Sequence, residues 1–332
     1  MRLTQFQTVD GNRSVAVSDS EPDYLRVVDG CSRIYDMAVE AISEGKTLES
    51  LVLQRIGKQR VSYHELMQEG RILPPIDHPD PAHCLVTGTG LSHLGSAQAR
   101  NEMHTKLANA DEILTDSMKM FKLGLDGGKP ASGSIGVQPE WFWKGNGSIV
   151  CGSGQTLTKP AFAEDGGEEA ELAGIYVIGN DNQPYRLGFS LANEFSDHVV
   201  EKKNYLYLAH SKLRVCSLGP ELRLGPLPDS IVGEIRVRRD NQIIWRSEML
   251  SGEENMSHSI GNLEHHHFKY ELFRQPGDVH VHFFGAGALS FANGIQTQDG
   301  DWFEIEAEEF GRPLQNQMQS DKNSGLVTIN TI

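Results

Sequence analysis

The segment Gly166-Gly167-Glu168-Glu169-Ala170-Glu171-Leu172-Ala173-Gly174-Ile175-Tyr176-Val177 constrains the chain more than any other. Its second half is an apolar run that reads as a buried strand, and its first half loads carboxylates onto the same strand. Strand side chains alternate, so Glu169 and Glu171 share one face while Ala170 and Leu172 take the other. Two carboxylates held together in a partly buried strand ionise only at high electrostatic cost unless a cation sits between them. A hard divalent ion with oxygen ligands meets that need.

An isolated Glu-x-Glu pair commonly marks a solvated strand edge, and a second segment argues against that reading here. Residues 188–198 read Gly-Phe-Ser-Leu-Ala-Asn-Glu-Phe-Ser-Asp-His, which places Glu194 beside an apolar run that would otherwise be core. If the fold returns Glu194 to the pair, it supplies a third oxygen ligand. Oxygen-only ligation favours Mg2+, with Mn2+ or Ca2+ as alternatives, over Zn2+.

The remaining composition narrows the class. With 30 Lys+Arg against 45 Asp+Glu the net charge is -15, which repels phosphate backbones and anionic membrane surfaces, so neither nucleic acid nor membrane is an expected partner. The longest apolar stretches, Leu172 to Gly179 and Val279 to Gly287, fall far short of the roughly 20 residues of a membrane helix. The N-terminus lacks the apolar core of a secretory signal, which points to the cytoplasm. Cys31, Cys84, Cys151 and Cys216 are widely spaced, fit neither a disulfide framework nor paired metal ligation, and are expected as buried thiols.

Along the chain, alternating runs flank Asp10-Gly11-Asn12 as a hairpin would. Ile34, Met37, Ala38 and Ala41 fall at helical spacing before Gly45, a further helix is expected over Leu48 to Ile56, and Ser62-Tyr63-His64-Glu65 fits a capping box. Pro74, Pro75, Pro79 and Pro81 then exclude helix and central strand, and the boundary is placed there: a small N-terminal α/β domain over 1–80 and a catalytic domain over 81–332. After it come a buried strand from Cys84 to Thr87, a Gly-rich turn, a broken helix from Ala97 to Phe121, and then short β runs punctuated by Gly, Pro, Asn and Asp. The fold class expected is α+β and β-rich.

Six elements in this order resemble the fumarylacetoacetate hydrolase superfamily over roughly Cys84 to Asn316. They are Gly88-Thr89-Gly90-Leu91, Phe142-Trp143-Lys144, Glu169 to Ala173, Ala192 to Ser196, Lys212 with Leu218-Gly219-Pro220, and Pro276 to Val279. The resemblance implies a mixed β-roll, a homodimer or dimer of dimers, and a site that binds a small keto acid near the subunit interface. It implies Glu169, Glu171 and Glu194 as metal ligands, with Glu194 in place of the more usual aspartate, and Lys144 and Lys212 as basic residues of the pocket.

The departures matter as much. Hydrolytic members carry a water-activating His with a Glu three residues on, where this chain has Ser96 and Ala99; His93, Glu102 and His104 are the remaining substitutes. Glu194 to His198, residues 204–214, residues 251–258 and residues 262–270 resemble instead the sugar-acid branch, whose members include 2-keto-3-deoxypentonate dehydratases that yield 2-ketoglutarate semialdehyde. The expected activity is therefore such a metal-dependent dehydratase. The alternative is a 2,4-diketo acid hydrolase that cleaves a carbon-carbon bond, and a third reading is a non-catalytic ligand-binding protein. Proton transfer at C3 and C4 of the substrate needs a base and an acid. Lys144 and His198 are the candidates, with Lys212 fixing the substrate carboxylate or a metal ligand. Ser92, His93, Ser96, Phe142, His282 and Gly285 are expected to contact substrate. His265-His266-His267 cannot share one face of a helix or strand and is not read as a metal site, whereas His280 and His282 share a strand face opposite Val279, Val281 and Phe283.

Overall fold

The alternation around Asp10-Gly11-Asn12 folds as a hairpin. In the computed structural model, which describes residues 1–95, 115–323 and 325–332, β1 (Arg2–Gln7) and β2 (Arg13–Ser18) pair antiparallel with Leu3 opposite Val17. Strands β3 (Tyr24–Val28) and β4 (Ile56–Ser62) extend this sheet. Helix Ile34–Glu44 buries Ile34, Met37, Ala38 and Ala41 and ends at Gly45, whose left-handed φ of 63° lets its N–H return to the last turn. Helix Leu48–Arg55 follows. Ser62 caps helix Tyr63–Gln68 by accepting from the Glu65 N–H at 3.2 Å.

The second part of the chain supplies β5 (Cys84–Gly88), β6 (Phe142–Asn146), β7 (Val150–Cys151), β8 (Leu157–Lys159), β9 (Ala170–Ile178), β10 (Pro184–Asn193), β11 (Cys216–Leu218), β12 (Leu222–Arg223), β13 (Ile231–Arg239), β14 (Gln242–Ser251), β15 (Val279–Phe283), β16 (Trp302–Ala307) and β17 (Leu314–Ser320). One sheet runs β4, β3, β2, β1, β12, β10, β9, β15, β5, β6, with β11 joined to β10 and β7 joined to β11. The other runs β14, β13, β16, β17, β8. The N-terminal segment is continuous with the rest: β1 pairs β12, and Leu3, Val15 and Val17 share one core with Val86, Ile175 and Val281. Pro74 to Pro81 crosses between the parts without strand, ending in a single 3-10 turn at Pro81–His83.

Strand β9 is buried along its whole length because both its faces are covered. Ala173, Ile175 and Val177 share one core with residues of helices Ile34–Glu44 and Leu48–Arg55, while Ala170 and Leu172 share another with Ile231, Ile235, Ile305 and Leu314 of the second sheet. Of the helix expected from Ala97 to Phe121, the described part is the end, where helix Asp116–Gly127 runs on past Phe121; the preceding stretch, with Ser96, Ala99, Glu102 and His104, lies outside the described residues. Cys31, Cys84 and Cys216 are buried, whereas Cys151 is only half-buried, because it closes a two-residue strand at the periphery of its sheet. Among the described residues no helix is long and apolar enough to cross a membrane.

The account of β9 as the central layer is checked by Ile175→Ala. Its side chain is fully buried, so urea unfolding is expected to show a loss of about 2–5 kcal/mol with an unchanged slope.

Candidate active site

Register brings the carboxylates together. Asn193 lies opposite Ala170 and Ala192 opposite Glu171 in the β9–β10 pair, and beyond the last paired residues the Glu194 N–H donates to the Glu169 carbonyl at 2.9 Å. Gly167 and Ser196 then exchange two backbone hydrogen bonds of 3.0 Å. Three acids from two segments thereby end on one site: oxygens of Glu169, Glu171 and Glu194 lie within 4.8 Å of one another, and all three residues are buried.

Two lysines converge on this group. Lys144, on β6, is 1% exposed and donates to Glu194 Oε1 at 2.8 Å, the Phe195 carbonyl at 2.9 Å and the Lys212 carbonyl at 2.9 Å. Its three protons are thus all committed. Lys212 Nζ donates to Glu169 Oε1 and to Ser196 Oγ at 3.2 Å, and stands 5.4 Å from the centre of the Phe142 ring. It also lies 3.0 Å from Glu194 Oε2, off hydrogen-bonding geometry, so that this buried oxygen has no hydrogen-bond partner. His198 bridges Asp165 Oδ2 at 3.1 Å and Glu169 Oε1 at 3.2 Å, with its ring stacked on Phe291. Burial opposes its protonation, but the two carboxylates raise its pKa to about 10, so it is an imidazolium.

The acids divide electrostatically. Burial pushes Glu169 up, yet the Lys212 ammonium and His198 hold it well below the usual carboxylate range. Glu171 is driven well above that range, first by burial and then by the charges of Glu194 and Glu169, against a single backbone donor, the Gly285 N–H at 2.6 Å. Glu194 is raised by burial, against the pull of Lys144 and Lys212. A carboxylate disfavoured as an anion by its neighbours, as Glu171 is, is what a missing positive charge produces. The all-oxygen donor set fits a hard divalent cation held by Glu169, Glu171 and Glu194.

Beside the acids lies a cavity of about 210 Å³ whose walls include Gly90, Leu91, His93, Glu140, Tyr205, Lys212, Ala286, Gly287 and Leu289. Of the residues expected to contact substrate, His93 lines it, bonded to Ser251 Oγ at 2.9 Å. Ser92 is buried and donates to the Phe284 carbonyl, Phe142 packs beneath Lys212, and Gly285 gives its N–H to Glu171. Ser96 is outside the described residues. His282 lies opposite Gly174, so it projects from the face opposite that of Glu171. There it stacks on His267 and bonds Thr87 Oγ1 at 2.8 Å, within a buried histidine and aromatic cluster.

Sequence reasoning missed Glu140. Its carboxyl lines the cavity, accepts from Tyr205 Oη at 2.8 Å, and is pushed up to about 7 by burial. The only signal in the sequence was an acid preceding Trp141-Phe142-Trp143 with no charged neighbour before Lys144. A carboxyl that changes charge near neutral pH, beside a cation site, is suited to moving a proton.

Glu171→Gln tests the cation site. Calorimetric titration with Mg2+ is expected to show affinity lowered by at least about tenfold, or ~1.4 kcal/mol. The metal-free protein should not lose thermal stability, because the change removes like-charge repulsion. Unchanged Mg2+ affinity would place the cation elsewhere.

No family model and no curated protein sequence matches the chain. Solved structures do. That of 2-keto-3-deoxy-D-arabinonate dehydratase complexed with magnesium and 2,5-dioxopentanoate is similar at TM-score 0.69 and 19% identity, over 97% of this chain and 100% of that one. That of 2-hydroxyhepta-2,4-diene-1,7-dioate isomerase from Mycobacterium marinum is similar at TM-score 0.59 and 15% identity, over 97% and 100%. A 5-carboxymethyl-2-hydroxymuconate delta-isomerase from Mycobacterium smegmatis gives TM-score 0.57 and 17% identity with the same coverage. With its two sheets and its full-length likeness to these enzymes, the chain has the fold of the fumarylacetoacetate hydrolase superfamily.

Proposed function

We propose that the protein is a metal-dependent hydro-lyase of 2-keto-3-deoxy sugar acids, converting a 2-keto-3-deoxypentonate to 2-ketoglutarate semialdehyde. The observation that carries this reading is the buried Glu169, Glu171 and Glu194 group beside a cavity that also presents Lys212 and Glu140. It is supported by the similar dehydratase whose structure holds magnesium and 2,5-dioxopentanoate, which is the same semialdehyde under another name. The reading extends to a cytoplasmic homodimer.

A divalent cation held by the three acids, Mg2+ in this reading, would supply the positive charge that draws the substrate's C1 carboxylate and C2 carbonyl and makes the C3 proton acidic. The remaining work falls to the chain's own side chains. Lys144 fixes Glu194 and, with no proton to spare, takes no part in transfer. Lys212 and the His198 imidazolium keep Glu169 ionised and oriented. Glu140 Oε2 is bonded to Tyr205, which leaves Oε1 to carry the proton. In its ionised form Glu140 takes the proton from C3; the C4–O bond then breaks, and the departing hydroxyl leaves as water with the proton that Glu140 returns. The unsaturated product tautomerises to the aldehyde.

Two outcomes test this reading. Incubated with Mg2+, the protein should convert a 2-keto-3-deoxypentonate into one aldehyde acid and stop when the metal is chelated; two acids released from a 2,4-diketo acid, with no dehydration, would instead make it a hydrolase. Because the base works ionised, kcat/KM should rise with pH through about 7 and then level. Glu140→Gln should lower kcat by at least about 100-fold and remove that limb; a retained limb would assign the base elsewhere.

A further inference from the structure

Glu168 stands next to the cation ligands in sequence but takes no part in their group. Alternation turns it toward the face of Ala170 and Leu172, away from Glu169 and Glu171. It is 0% exposed. Both its oxygens are held by one residue: Ser290 donates its backbone N–H to Oε1 at 2.8 Å and its hydroxyl to Oε2 at 2.7 Å. Ser290 opens a short 3-10 turn, Ser290–Asn293, and no cap comes from Leu289 before it. The carboxylate thus reaches across from the ligand strand to satisfy a helix-start N–H that its own segment leaves open.

The segment so held is a wall of the cavity. At its other end the Phe284 N–H donates to the Leu172 carbonyl at 3.0 Å and the Gly285 N–H to Glu171 Oε2 at 2.6 Å. Between the two anchors run Ala286, Gly287 and Leu289, which line the cavity, and immediately past the second anchor Phe291 stacks on His198. A stretch of mostly small residues with no sheet partner has little stiffness of its own, so its position relative to the ligands depends on what holds its ends. A buried carboxylate is a costly way to fill space that an apolar side chain would fill better. Its geometry explains its presence: two acceptors, spaced for one N–H and one hydroxyl.

We propose that Glu168 is a positioning residue, which by clamping Ser290 sets the distance between the wall at Ala286–Leu289 and the carboxylate group, and so sets how tightly a bound keto acid is enclosed. This rests on the proposed dehydratase reading for its substrate, while the clamp itself is tested independently of it. Glu168→Ala should speed amide hydrogen exchange at 286–291 and raise KM for a 2-keto-3-deoxypentonate by about tenfold, with kcat and Mg2+ affinity changed less than about twofold. Glu168→Gln can still accept from the N–H and donate to the hydroxyl, and should restore both readouts; Ser290→Ala should fall between. If the wild type turns over no such acid, the dehydratase reading fails, and the clamp is then read from oxalate, a small chelating diacid. Its affinity for the Mg2+-loaded protein should fall by about tenfold in Glu168→Ala and recover in Glu168→Gln. Unchanged exchange, KM and oxalate affinity would overturn the proposal, as would a loss of Mg2+ binding in parallel with kcat in Glu168→Ala. If Glu168→Ala does not fold, Ser290→Ala alone decides by the same readouts.

Discussion

The mutual repulsion of three buried carboxylates is the interaction around which this molecule is arranged. Glu169, Glu171 and Glu194 sit within one ion's reach of each other and away from water. Such a cluster persists only because opposite charge surrounds it: Lys144 locks one acid, Lys212 and His198 serve another, and Glu171 is left with one backbone N–H. The incomplete compensation at Glu171 is the physical argument for a cation.

The sheet makes this arrangement possible. A strand covered on both faces cannot shift register without moving its apolar side chains into the wrong layer. The pairing that buries Leu172 against the second sheet and Ile175 against the helices therefore also fixes where Glu169 and Glu171 point. Strand β10 returns antiparallel, so Glu194 meets Glu169 across the ladder's end as a consequence of the same register. Strand β15 and the turn after it bring Gly285 to Glu171, and β6 brings Lys144 to Glu194. Stability and chemistry share one framework, with the charged ends of β9 and β10 projecting beyond their apolar centres.

What the sequence disclosed follows from the same physics. The hairpin at Gly11, the helix stop at Gly45 and the Ser62 cap are local signals that the chain obeys without help from distant residues. The Glu169 and Glu171 face was legible because strand periodicity is strict, and Glu194 because a carboxylate beside an apolar run needs a reason. Other features depend on long-range register that spacing cannot convey. His280 and His282 do share a face, but only the pairing of β15 with β9 shows that this face is turned from Glu171. Lys144 was visible as a basic residue among aromatics, but its enclosure by two carbonyls and a carboxylate was not. Glu140 was invisible because its character comes from burial and from Tyr205, a partner 65 residues away. The pairing of β1 with β12 spans two residues, too short to carry a pattern.

The most direct measurement is anomalous diffraction from crystals grown with Mn2+. The account predicts one anomalous peak coordinated by oxygens of Glu169, Glu171 and Glu194 at about 2.0–2.3 Å, with Lys212 displaced from Glu194 Oε2. Full Mn2+ occupancy at another position, or these three side chains unchanged around Lys212 at saturating Mn2+, would contradict it.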